Sequence, residues 1–138
     1  MDTKVETGET GLFLVNYRVS NGMAGAPVLT LALTVSTPNR MVSGIAHVTQ
    51  ALQHPNVATA QVTGSYHEYS DVNGPNYVIS LDGYAPVVVN NDARPILEAE
   101  LVLVGGWESG TGSFSFRRAP QGPMTHITDA AVEMTSKA

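Results

Sequence analysis

Apolar and more polar residues alternate along two early segments of the chain, and this pattern predicts two β-strands. The apolar positions are Phe13, Val15, Tyr17 and Val19 in the first segment and Leu29, Leu31, Leu33 and Val35 in the second. Successive side chains of a strand point to opposite faces, so strict alternation indicates a strand with one buried face. If residues 21–27 close a hairpin, Phe13 lies opposite Val35 and Val19 opposite Leu29, and one register buries the whole apolar set.

The same apolar face continues into a third and a fourth predicted strand. Proline and asparagine in the segment 37–40 favour a turn, and pairing across it places Leu33 opposite Gly44. A hairpin centred near His54 then pairs Gly44 with Gly64. Facing glycines permit the sharp coiling that a closing sheet requires. We therefore favour a barrel, with a two-layer sandwich as the alternative.

Alternation predicts three more strands in the second half of the chain. They lie within residues 77–84, 96–104 and 113–117, and segments rich in Gly, Asn, Asp and Pro separate them. The run Val87–Val89 is either an edge strand or a tucked loop, because Pro86 interrupts the pattern before it.

Near the C-terminus the pattern changes and predicts a short helix. Ile127, Ala131 and Met134 are spaced roughly as on one face of a helix, and Thr128 is suited to the N-cap. The predicted fold class is all-β: an antiparallel meander of about seven to eight strands that closes into a small barrel or a two-layer sandwich, with a short C-terminal helix.

Length, charge and cysteine content define a single domain and exclude several classes of function. The 138 residues suffice for a core of their own, and we expect residues 1–10 to be a flexible N-terminal lead-in to a single β domain at 11–138. A net charge of −5 argues against nucleic acid and against anionic membrane surfaces. Since the chain has no cysteine, disulfides, thiolate metal sites and a cysteine nucleophile are excluded.

The polar, acidic residues 1–10 show neither the basic region nor the apolar run of a secretory signal. No apolar stretch approaches the length of a membrane span, so membrane insertion is not expected. A cytoplasmic location is the default expectation, and export without a signal peptide stays open.

Several turn and strand-core segments together resemble a known family. They are Gly11-Leu12-Phe13, Gly25-Ala26-Pro27-Val28-Leu29-Thr30-Leu31, Thr37-Pro38 and Ser43-Gly44. This combination resembles the opening of a family of small uncharacterised bacterial β-rich proteins that is grouped as a domain of unknown function. The resemblance covers most of the chain after residue ten. It implies a bacterial source and no known activity, and it carries over no functional residues.

The histidines and carboxylates give no catalytic or metal-binding motif. The spacing of His47, His54, His67 and His126 matches no metal-ligand pattern, so neither a metal nor a cofactor is predicted. His67 and the adjacent Glu68 point to opposite faces of a strand and cannot act together there. Glu68 falls on the inward phase near the end of its strand, which makes it the best candidate for a half-buried carboxylate.

Outward-facing residues of the third to fifth strands form the candidate binding surface. The register derived above places His47, Gln61 and Tyr84 in one row, with Asp82 beside them. Any solvated β-face is rich in such residues, so the pattern alone does not require a function. The second candidate is Trp107, which lies in a glycine-rich loop. It either anchors a partner or packs over the open end of the sheet.

These observations favour a non-enzymatic binding or interaction module that recognises a protein or small-molecule partner. Small inward residues such as Gly83 leave a second reading, a small barrel that carries an apolar small molecule, unless bulky side chains fill that space. A hydrolase-like enzyme is the third reading, with His67, Glu68 and Asp82 as its acid–base residues. Exposed edge strands would also allow a homodimer.

Overall fold

Eight β-strands form one closed antiparallel barrel in the computed structural model, which describes residues 11–51, 56–86, 94–118 and 122–138. The strands are β1 (Leu12–Ser20), β2 (Val28–Ser36), β3 (Met41–Thr49), β4 (Asn56–Asp71), β5 (Gly74–Tyr84), β6 (Leu97–Leu103), β7 (Ser109–Phe116) and β8 (Thr125–Lys137). Each strand pairs with the next, and β8 pairs with β1. None of the described segments contains a helix with the length and hydropathy needed to cross a bilayer.

The registers of the first two hairpins are those that the alternation predicts. Phe13 lies opposite Val35 and Val19 opposite Leu29, and Leu33 lies opposite Gly44. The apolar residues in the inward phase of these strands are almost fully buried. Short connections fix the register of neighbouring strands, which is why local patterning suffices here.

The predicted register between β3 and β4 is wrong by two residues. Gly44 lies opposite Val62, and Gly64 lies opposite Val42, so the two glycines do not face each other. The pairing is irregular between Val48 and Thr49, and residues 52–55, where the sequence predicts the hairpin turn, lie outside the described residues. A displacement by two preserves the inward phase, and the core side chains are therefore still assigned correctly.

Glycines nevertheless allow the tight coiling of the barrel. A Cβ atom on Gly44 would overlap the backbone carbonyl oxygen of Ala32, and one on Gly64 would overlap that of Ser80. Neighbouring backbones approach the glycines so closely that no side chain fits. This close approach bends the sheet, and the prediction of barrel closure is confirmed, whereas the two-layer sandwich is not observed.

The predicted C-terminal helix is wrong, because residues 125–137 form strand β8. Asp129 has a φ of 53°, and the pairing between β7 and β8 shifts at this bulge. The bulge lets Ile127 and Ala130 both point inward although they are three positions apart, whereas Ala131, which belonged to the predicted helical face, is exposed. Backbone pairing with both β1 and β7 determines the strand conformation. The run Val87–Val89 lies outside the described residues.

The small inward residues of β3–β5 lie close to their neighbours. A Cβ atom on Gly83 would lie 3.0 Å from the Cβ atoms of both Ala60 and Leu97, whereas Gly44 and Gly64 lie against neighbouring backbone. Phe114 and Phe116, from a strand further round the barrel, are buried in the same core. Such close approaches are expected of a densely packed protein interior.

The β4–β5 hairpin projects beyond the barrel. β4 has 16 residues, but its pairing with β3 ends at Ser65. On the other side, the pairing of β5 with β6 begins at Tyr77. Residues 67–76 consequently form a two-stranded projection that neither neighbouring strand covers.

We expect Gly44→Ala to lower the free energy of unfolding by about 2–3 kcal/mol, because the added methyl group would force β2 and β3 apart. Gly11→Ala is the matched control. A Cβ atom at Gly11 meets nothing within 4 Å, so we expect a change within about 0.5 kcal/mol. Urea unfolding followed by circular dichroism measures both. Equal stabilities of the two variants would contradict the close approach of the backbones.

Candidate binding surface

The structure divides the predicted outer row into two neighbouring rows. Gln61 lies opposite Tyr84, as the register predicts. His47 lies instead opposite Thr59, and its Nδ1 is 3.1 Å from the Thr59 hydroxyl. The two-residue shift between β3 and β4 accounts for this, and Ile45 takes the place opposite Gln61. The expected polar row therefore contains an exposed isoleucine.

Asp82 lies in a more acidic part of the outer surface than its place in the predicted patch suggests. It faces Thr63 on β4, as expected, and Glu98 on β6. Glu100 follows two positions along the same outward face of β6. Asp82, Glu98 and Glu100 therefore concentrate negative charge on this part of the barrel surface. Carboxylates that lie directly opposite each other, such as Asp82 and Glu98, repel each other.

Trp107 is buried in the core and does not form part of the exposed surface. Its side chain is 4% exposed, and it closes one end of the barrel as part of an aromatic cluster. The indole stacks on the Tyr77 ring at 3.9 Å between centroids and meets Phe13 and Tyr66 edge-on at 5.1 Å. The indole N–H is buried and has no hydrogen-bond partner among the described residues. Of the two sequence-based readings, the structure shows the packing over the open end.

A buried hydrogen bond secures this aromatic cluster to the barrel wall. The Tyr17 hydroxyl donates to the backbone carbonyl oxygen of Trp107 at 2.7 Å. Burial raises the pKa of the Tyr17 phenol well above its ordinary value, and Glu108 and Tyr77 act in the same direction. Tyr17 is therefore a neutral donor over the whole physiological pH range.

The candidate acid–base residues do not converge. His67 and Glu68 are both exposed on the projecting hairpin, so the expectation of a half-buried Glu68 is wrong. Glu68 falls on the inward phase of β4, but it lies beyond the barrel rim, where the side chain has no barrel interior to face. The register of β7 and β8 does bring the Ser115 hydroxyl to 2.6 Å from Nδ1 of His126, a contact that sequence reasoning missed.

This hydroxyl–imidazole pair lies on the exposed outer face of the sheet. In that position water has access to both groups, and a hydrogen bond between them needs no catalytic role. Within the described residues, no group of three or more His, Asp and Glu side chains could hold a metal ion.

Four exposed large apolar side chains lie on the outer side of the first three strands, on a surface that we call the β1–β3 face. Its outward-facing residues are Leu12, Leu14, Asn16, Arg18, Thr30, Ala32, Thr34, Ser36, Met41, Ser43, Ile45 and His47. The exposed fractions of its large apolar side chains are 70% for Leu12, 53% for Leu14, 45% for Met41 and 46% for Ile45. None of its residues is a carboxylate, although the chain has a net charge of −5.

A shallow depression of about 260 Å³ lies on this face. Ala32 provides part of its floor, and Asn16, Arg18, Thr30 and His47 are among the residues around it. The alternation that defines the inward residues also places Leu12, Leu14, Met41 and Ile45 outward. Apolar residues in the outward phase are therefore the sequence signal that could have revealed this face.

The fold defines a small closed antiparallel β-barrel of eight strands. Residues 10–121 match the family described as "Domain of unknown function (DUF1842)". The match covers most of the chain, and the protein belongs to this family. Strand β8, which closes the barrel, follows the matched segment. No curated protein matches the sequence.

We expect Tyr17→Phe to lower the free energy of unfolding by about 1 kcal/mol near pH 8, because the buried carbonyl oxygen of Trp107 loses its donor. The unfolded phenol ionises near pH 10, whereas the folded phenol stays neutral. The wild-type protein must therefore lose stability as the pH rises above about 10, and the deficit of the variant should shrink there.

Urea unfolding at about pH 8 and about pH 11 measures this difference. Tyr84→Phe is the control. Because Tyr84 is exposed, removal of its hydroxyl group should leave the pH dependence of the free energy of unfolding unchanged. A Tyr17→Phe deficit that is the same at both pH values would contradict the assigned burial.

Proposed function

We propose that this protein is a non-enzymatic interaction module that binds a protein partner through the β1–β3 face. The observation that carries the proposal is the grouping of four exposed large apolar side chains on a face without carboxylates. Water-exposed apolar patches of this kind are characteristic of protein interfaces, whose centres are depleted of charged residues. A solvated strand face with no partner needs only polar side chains.

The surface suggests the chemistry of the partner. Leu14 and Ile45 present aliphatic area, and the continuous row from Ile45 through Gln61 to Tyr84 adds an amide and an aromatic ring. Arg18 and His47 lie beside the depression at one side of this area. A complementary partner would present a flat apolar surface with an acidic group at its edge, which pairs with the Arg18 guanidinium.

Two features make the alternatives less favourable. Carriage of an apolar small molecule would need an interior space, whereas the neighbours of Gly83 already fill the room above it. A hydrolase-like activity would need groups that converge in a cleft, whereas Ser115 and His126 meet on an exposed sheet face. An interaction surface requires neither.

A photo-crosslinking amino acid placed at Ile45 tests the proposal in cells that express the protein naturally. We expect one discrete adduct, because Ile45 lies within the β1–β3 face. The same amino acid at Thr111, an exposed outward position of β7, is the control and should not give this adduct. Leu14→Glu should reduce the Ile45 adduct at least about tenfold, by burying a carboxylate in the interface.

Unchanged thermal stability of each variant would show that the effect is local. The same adducts from Ile45 and Thr111, or an Ile45 adduct that Leu14→Glu leaves unchanged, would contradict the proposed face. Native mass spectrometry distinguishes the carrier: a bound small molecule on the purified protein would favour it over the interaction module.

A further inference from the structure

The projecting β4–β5 hairpin has an open strand edge. The last β3–β4 contact is the bond from the Tyr66 N–H to the Arg40 carbonyl oxygen, at 3.1 Å. Beyond this bond, residues 67–71 are exposed, and none of the described strands pairs with this side of β4. An open edge offers unpaired backbone groups to another strand.

The directions of the backbone groups along this edge follow from the Tyr66 bond. The Tyr66 N–H points toward the β3 side, and backbone groups alternate in direction along a strand. The N–H and C=O groups of Glu68 and Ser70 therefore point outward from the open edge. Those of His67 and Tyr69 point toward β5. The β4–β5 pairing is regular throughout this region, so the alternation is not interrupted.

A contact of the buried Asn76 fixes the base of the hairpin, and an exposed hydrogen bond fixes its turn. Asn76 is fully buried, and its Oδ1 accepts a hydrogen bond from the Gly105 N–H at 3.1 Å. At the turn, Oδ1 of Asp71 accepts one from the Asn73 N–H at 2.8 Å. Because the edge is held in an extended conformation before any partner arrives, binding would lose little conformational entropy.

We propose that a second copy of this chain pairs with the open edge in antiparallel orientation, about a two-fold axis at Tyr69. Glu68 of each copy then lies opposite Ser70 of the other, and their outward backbone groups form two hydrogen-bonded pairs. His67 lies opposite Asp71, which brings an imidazole N–H group to a carboxylate. Tyr69, which is 49% exposed, meets its own equivalent across the axis.

Charge and hydrogen-bond direction select this register from its neighbours. A displacement by one residue would oppose an outward-pointing backbone group to an inward-pointing one. An axis at Glu68 would place two carboxylates opposite each other, and an axis at Asp71 would do the same. An axis at Ser70 would place Tyr69 opposite Asp71 and would separate His67 from Asp71. Only the axis at Tyr69 places His67 opposite a carboxylate while the outward backbone groups are paired.

This inference is independent of the proposed function, because it uses a different surface. The β1–β3 face lies on the outside of the barrel wall, whereas the open edge lies beyond the barrel rim. Leu14→Glu should therefore leave self-association unchanged.

Single cysteine substitutions test the two-fold axis. The chain has no cysteine, so Tyr69→Cys introduces the only thiol. At a non-hydrogen-bonded antiparallel pair the two Cα atoms are about 4.5 Å apart, which suits a disulfide. Under mild oxidation we expect Tyr69→Cys to form a covalent dimer at least about tenfold faster than His67→Cys or Val72→Cys. In the proposed register, His67 lies about 14 Å from its own equivalent, and Val72 lies further away.

Val72 is the demanding control, because it is fully exposed at the hairpin tip. Random collision would cross-link Val72→Cys at least as fast as Tyr69→Cys, and that result would overturn the proposal. A fastest reaction at His67→Cys would overturn the register.

Amide hydrogen exchange tests the unmodified protein. Raising the protein concentration should slow exchange at the Glu68 and Ser70 amides and leave Tyr69, whose N–H already points toward β5, unchanged. Exchange at Glu68 and Ser70 that does not depend on concentration, together with a monomer mass at about millimolar concentration, would overturn the proposal.

Charge variants supply a third readout. His67→Asp should weaken self-association at least about tenfold, because it opposes two carboxylates. His47→Asp makes the same change in net charge on another strand and should have little effect. Equal weakening by both variants would show a general effect of net charge and contradict the paired edge.

Discussion

The pairing of β8 with β1 is the interaction on which the rest of this structure depends. Seven strands in a meander would leave β1 and β7 as open edges and would expose the inward side chains between them. Strand β8 pairs with both edges and places Ile127, Ala130 and Val132 against the core. Barrel closure therefore converts a one-sided apolar sheet into a surrounded interior.

Closure also determines where binding can occur. Once the sheet curves, Gly44 and Gly64 lie against neighbouring backbone, and the aromatic cluster around Trp107 closes one end. The hydrogen bond from Tyr17 to the backbone of Trp107 connects this cluster to β1. In the proposed interaction module, the outer face and the parts that extend beyond the rim are the surfaces through which partners would bind.

Two such surfaces differ in the chemistry that they present. The β1–β3 face offers aliphatic side chains among hydroxyl groups, which suits a flat partner surface. The projecting hairpin offers backbone hydrogen-bonding groups with charged side chains in a defined order, which suits another strand. Asn76 connects the hairpin to the loop that carries Trp107, so the same buried contacts support the core and hold the open edge in place.

The sequence by itself determined the inward phase of most strands and the registers of the first two hairpins. Phe13 meets Val35 because alternation and a short connection are local properties. Only the tertiary structure decided the β3–β4 register, the strand conformation around Asp129, the burial of Trp107 and the exposure of Glu68. Each of these depends on residues distant in the sequence: bulges restore pairing with remote strands, and the barrel rim beside Glu68 lies where β3 begins and β6 ends. Alternation specifies which side a residue faces, but not whether another part of the chain covers that side.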